Sequence, residues 1–169
     1  MTESGSPLQG SVNPVVLGVL IGVVLTLIAI RIFASQVMIR RDTIALPRDR
    51  AVGALLNAAA ARGWSVPTVH HLSRGPGQAG AEKPEATVVE LCRPDYAAGL
   101  LQNDDARAVI AMMPCRMAVY ETTRGSVVVS RVNVAFMGWL FGGRARGVMA
   151  RASHASEEIV ASLRGQWGG

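Results

Sequence analysis

Two cysteines, Cys92 and Cys115, are the residues of this sequence best placed to do chemistry. Each sits at the end of an apolar run: Cys92 closes TVVELC, and Cys115 opens CRMAVY. If these runs are neighbouring strands, the thiols approach the roughly 4.4–6.8 Å Cα spacing that a disulfide requires. Arg93 and Arg116 follow them directly, and a cation beside a thiol favours the thiolate. The pattern points to a redox couple, or to a soft-metal or ligand site completed by Met112, Met113 or Met117. Two buried thiols filling core space are equally consistent with it. A cytoplasmic setting argues against a permanent structural bridge.

Other reactive residues are less well arranged. His70 and His71 are adjacent, and successive strand residues point to opposite faces, so the pair does not chelate one ion without a bulge. His154 is distant in sequence, and no zinc-type ligand spacing is present. There is no nucleophile elbow, phosphate loop or dinucleotide fingerprint. Gly142-Gly143 lacks the Lys-Ser/Thr that would follow in a phosphate loop and reads as a turn or hinge. No cofactor is implied beyond a soft metal, and no catalytic set can be named, so the reading leans away from an enzyme.

The elements that must position these residues follow from patterning. Residues 87–92, 115–120 and 126–132 read as buried strands, with a short helix over 96–101 between the first two and a hairpin turn over 122–125. Residues 106–113 read as a second short helix or an irregular crossover, ended by Pro114. Upstream, 36–46 reads as a first strand and 47–62 as a helix with Val52, Leu55, Leu56 and Ala59 on one stripe. Gly63 serves as its C-terminal cap. Residues 64–73 read as a strand broken by Pro67, and 74–85 as an exposed loop. Asn103 belongs to a turn or cap. Ser153 is expected to cap a last helix.

The 169 residues carry 17 basic and 12 acidic side chains, a net charge of +5, and half of them are hydrophobic. That excludes disorder and suits a face near anionic lipid. The basic residues are scattered, which argues against nucleic acid as a partner. Residues 14–35 include sixteen consecutive uncharged positions, VVLGVLIGVVLTLIAI, and read as a single membrane-spanning helix. A cleaved signal peptide would want a basic segment ahead of it, and 1–13, a polar tail read as disordered, has none. Arg31, Arg40, Arg41, Arg48 and Arg50 follow the span, so the positive-inside rule places the rest of the chain in the cytoplasm, against the inner (plasma) membrane. Gly18 and Gly22 form a GxxxG pair that either lets a second helix approach or reflects the abundance of glycine in such helices. Phe136, Trp139 and Phe141, followed by Arg144 and Arg146, either form a surface for membrane or partner, or close the core.

The run from VVELCRP through DYA and MMPCRMAVYE to VVVSRVN resembles the domain of unknown function family 302. The strongest parts are Cys92, Pro94, Tyr96 and Ala97, and the segment 113–121. The resemblance covers residues 36–164 and leaves 165–169 as a frayed end. It implies a compact two-layer α+β domain, often a homodimer, with no established reaction. It also implies that Cys92 and Cys115 correspond to the paired thiols of one branch of the family. The expected architecture is therefore an N-terminal transmembrane helix followed by a two-layer α/β sandwich with a mostly antiparallel sheet. The expected function is a membrane-tethered accessory or interaction domain, bound to a larger membrane complex or to a second copy. The alternative is a thiol-based redox or soft-metal module.

Overall fold

The computed structural model describes residues 13–73, 86–102 and 104–165. The expectations of a disordered tail over 1–12, an exposed loop over 74–85, a cap at Asn103 and a frayed end over 166–169 lie outside these residues. The chain divides into two units, Met1–Gln36 and Val37–Gly169.

In the first unit, helix α1 (Pro14–Met38) starts on a proline, where the missing N–H costs no hydrogen bond. Asn13 accepts from the Val15 N–H at 3.0 Å and satisfies one of the orphan donors of the first turn. Its side chains are apolar on every side and exposed, Phe33 by 71% and Val15 by 70%. The helix is long and apolar enough to cross a membrane. It also runs three residues further than the expected 14–35, to Met38, so strand β1 begins only at Ile39.

The second unit carries strands β1 (Ile39–Ile44), β2 (Val69–Leu72), β3 (Ala86–Leu91), β4 (Cys115–Glu121) and β5 (Val127–Val132). They form one sheet in the order β1-β5-β4-β3-β2, with every described ladder antiparallel. Helices α2 (Arg48–Ala60) and α6 (Gly143–Arg164) cover one face. Pleating places Val89, Leu91, Met117, Val119, Val127 and Val129 on that face, where they meet Leu55, Ala59, Ile159, Val160 and Leu163. The expected two-layer α+β fold with an antiparallel sheet is the observed one. Pro67 keeps the chain out of the ladder, so β2 is a four-residue edge strand rather than a ten-residue one.

A second, smaller core sits at the end of the layers. It joins Leu100 of α3 (Pro94–Leu101), Ala106 of α4 (Asp104–Arg107), Val109 of the 3₁₀ turn Ala108–Met112, and Ala145, Val148 and Met149 of α6. Here one expectation is corrected. Ser153 does not begin a helix; it is buried in the middle of α6. Ala145, Val148, Met149, Ala152, Ile159 and Leu163 recur at helical spacing across it, so one continuous stripe holds the helix together from Gly143 to Arg164.

Helix α5 (Val134–Phe141) packs back on α6 through a two-glycine turn, Gly142 (φ 70°, ψ −161°) and Gly143 (φ 52°). The Gly142 conformation is essentially restricted to glycine. The contact requires a second small residue. A Cβ at Gly138 would lie 2.7 Å from Met149 Cβ and 3.3 Å from Arg146 Cα. Gly138→Val is therefore expected to destabilise the fold by about 1–3 kcal/mol through overpacking. A urea midpoint equal to the wild-type value would refute that tight approach.

Candidate functional site

The end of the sheet where β3 leaves and β4 enters brings together a set of side chains from four elements. Gly63 (φ 72°) reverses the chain after α2. An isolated bridge then pins the next residues to β3: Ser65 N–H donates to Cys92 O at 2.8 Å, and Cys92 N–H donates to Ser65 O at 2.9 Å. That places Trp64 in the core, only 4% exposed. Pro94 opens α3 and puts Tyr96 in its first turn, edge-to-face with Trp64 at 5.7 Å. The Arg93 guanidinium lies 5.0 Å from the Tyr96 ring centre, and its Nη1 donates to Tyr96 Oη at 3.4 Å. Cys115 stands directly opposite Leu91 in the ladder.

Trp64, Leu91, Arg93, Tyr96 and Cys115, with Met112 and Met113, line a cavity of about 30 Å³. A larger one, of about 160 Å³, lies along the other side of Cys115 and includes Met112, Met117 and Arg131. Cys115 and Met112 thus border both. Trp64 Nε1 is buried without a hydrogen-bond partner among the described residues. An orphaned indole N–H of this kind calls for an explanation, because buried polar groups are normally paired.

The two cysteines are both free thiols and half-buried. They are close in the sheet, but pleating directs Cys115 to the helix-covered face with Leu91, and Cys92 to the other. Cys115 lines the cavities and Cys92 does not. Burial pushes the Cys115 thiol above its ordinary value of 9.0, and neighbouring Cys92 adds to the shift. The folded chain keeps this proton above pH 9, where the unfolded chain loses it, so the group withdraws stability as pH rises beyond 9. With Cys92→Ser, the remaining thiol is expected to react slowly with iodoacetamide at neutral pH and to reach full reactivity only above pH 9. Fast labelling at pH 7.5 would contradict a protonated, shielded Cys115.

The remaining candidates are placed elsewhere. Met113 lies at the smaller cavity, whereas Met117 is only 1% exposed in the main core and reaches the larger cavity. His70 Nε2 lies 3.2 Å from Glu90 Oε1, and His71 Nδ1 lies 3.4 Å from Thr87 Oγ1. Arg116 Nε donates to the same Glu90 oxygen at 3.1 Å. The Arg116 bond, and next the His70 bond, hold the Glu90 carboxyl below the usual carboxylate range. Among the described residues no three His, Cys, Asp or Glu gather as metal ligands. Gly18 and Gly22 are exposed on α1. Phe136 stacks on Trp139 at 5.9 Å, and Trp139, Phe141, Arg144 and Arg146 are exposed around the α5–α6 turn. Leu140, at 63%, is the most exposed apolar residue of that turn.

Sequence reasoning passed over Trp64 and Arg93 as site residues and used Tyr96 only as part of a motif. The available signal was an arginine and a tyrosine three apart at a helix start, which stack on one another.

The chain is similar to the solved crystal structure of an uncharacterized conserved DUF302 protein from Bacillus stearothermophilus, with a TM-score of 0.60 at 16% identity. The match covers 75% of this chain and 95% of that one, and at this identity the likeness concerns the fold alone. No curated protein matches the sequence. The pattern of the family described as "Domain of unknown function DUF302" matches residues 41–164. The chain therefore belongs to the DUF302 family, with α1 lying ahead of the family domain.

Proposed function

We propose that this protein is a single-pass membrane protein whose DUF302 domain works as an accessory or interaction module against the inner face of the plasma membrane. The observation that carries the reading is α1: twenty-five residues, with no buried side chain in its most apolar stretch among the described residues. Exposing so many large apolar side chains to water would oppose solubility, and a hydrocarbon layer removes that cost. The arginines that follow favour the cytoplasmic side for the domain.

A second feature supports work at a surface. Asn133 ties the start of α5 to the first residues of the domain: its N–H donates to Met38 O at 2.8 Å, and its Nδ2 donates to Val37 O at 3.0 Å. Its Oδ1 accepts from the Phe136 N–H at 3.3 Å and caps α5. Trp139, Leu140 and Phe141, flanked by Arg144 and Arg146, suit the headgroup region of an anionic leaflet or an apolar patch on a partner. The sheet face opposite the helices, where Val88, Ala118 and Tyr120 are half-buried, offers a surface for a second copy.

The test is alkaline carbonate extraction of cell membranes, combined with intact-mass measurement and crosslinking. The expected result is a carbonate-resistant chain of full mass, crosslinked to a partner or to itself. A shortened, soluble, monomeric product would overturn the proposal and identify α1 as a cleaved leader.

A thiol-based alternative has one observation in its favour, the shared placement of Cys115, Met112 and Met113 at one cavity. Thioether and thiol sulfur suit a soft ion such as Cu(I). Loss of bound Cu(I) on Cys115→Ser would support it, and equal binding by both proteins would dismiss it.

A further inference from the structure

We infer that the cavity beside Trp64 is a binding site for a small carboxylate with a short apolar tail, of the size of propionate or butyrate. The inference stands apart from the membrane reading, since every residue it uses lies in the DUF302 domain.

The polar groups around the cavity are almost all donors. Trp64 Nε1–H has no partner among the described residues. Arg93 brings a permanent positive charge, and its ion pair with exposed Asp95 is long at 3.6 Å. Because Tyr96 Oη accepts from Arg93, its own hydroxyl proton is left to donate. Burial keeps the Cys115 thiol protonated, which makes it a further weak donor. No Asp or Glu lines the cavity. Such a site has a deficit of acceptors and an excess of positive charge, so a carboxylate is the complementary head group. A cation or a pure donor would leave the same N–H groups unpaired.

The rest of the lining is apolar. Leu91, Leu100, Val109, Val148 and Met149 would contact hydrocarbon. At about 30 Å³ the cavity holds only one or two waters. Met112, Met113 and Met149 are the wall best able to move, because an unbranched thioether chain repacks at low cost. That limits the tail to a few carbons.

The experiment follows the indole Nε1–H resonance of Trp64 in the full chain in detergent micelles. Sodium propionate and butyrate are titrated, with butylamine as the cationic counterpart of similar size. A saturable shift with the carboxylates and none with butylamine is expected. Trp64→Phe keeps the ring and removes only the donor. Arg93→Gln alters a side chain at the mouth of the cavity and leaves the core intact. Losing one charge-assisted hydrogen bond in either variant is expected to weaken binding about tenfold or more. Binding to Trp64→Phe is read on the Tyr96 ring signals. An unmoved indole resonance up to millimolar carboxylate, meaning that water alone occupies the site, would overturn the inference. So would an equal response to butylamine, or wild-type affinity in both variants.

Discussion

Placing arginine at both Ile21 and Leu25 is expected to release the protein from the membrane pellet into the aqueous fraction. The two positions are one helical turn apart in α1, and both side chains are exposed, by 52% and 60%. Among the described residues this stretch has no buried side chain, so the substitutions remove no packing there. Their cost falls on insertion alone. An arginine near the middle of a span opposes insertion by about 2.5–3.5 kcal/mol, and two together far exceed what a single helix can offset by tilting or snorkelling. Carbonate extraction of the double variant reads the outcome. The purified variant should keep the near-UV signature of the domain. Full retention of the double variant in the pellet would show that something other than α1 holds the protein to the membrane.

Arg131→Met is expected to cost the domain about 3 kcal/mol, which for its size lowers the melting temperature by about 10 °C. Arg131 lies on the helix-covered face of β5 and is only 5% exposed. Its Nη1 is paired with Asp42 of β1, and its Nη2 with Glu157 of α6 at 2.6 Å. Arg164 holds the other Asp42 oxygen at 2.9 Å, and Arg40 approaches Glu157 at 3.6 Å. The group latches α6 to the edge strand that continues from α1. Burial by itself would lower the Arg131 pKa, but the hydrogen bonds to Glu157 and Asp42 outweigh it and raise the value. Removing the guanidinium leaves two carboxylates without their shared partner. The remaining arginines soften that loss and hold the expectation to the lower end of the range for broken buried pairs. Adding Asp42→Leu and Glu157→Leu to Arg131→Met should recover most of the stability, since the charges then left without these partners, Arg164 and Arg40, are about half exposed to water. Failure of the triple variant to recover would mean that packing rather than charge is the main role of Arg131.

The family domain and its sheet were legible because their patterns are local. Strands such as TVVELC and CRMAVY alternate or run apolar at lengths only a sheet accommodates, and the Gly125 hairpin fixes one register. The end of α1 was less legible. Hydropathy fades after Ala34, but helical hydrogen bonding continues to Met38, where Asn133 receives the chain. The unbroken run of α6 was hidden for a related reason. Ser153 reads as a cap in isolation, and only the stripe from Ala145 to Leu163 against the sheet makes it an interior position.

By itself the sequence determined that an apolar helix precedes a two-layer antiparallel α+β domain, because span length, strand period and turn residues are properties of neighbours along the chain. Tertiary structure alone decided which groups meet. It turned Cys92 and Cys115 to opposite faces and gathered Trp64, Arg93, Tyr96 and Cys115 around one cavity. It also centred a buried charge cluster on Arg131. Those encounters depend on the pleat phase at strand ends and on how far each helix runs, which no single segment encodes.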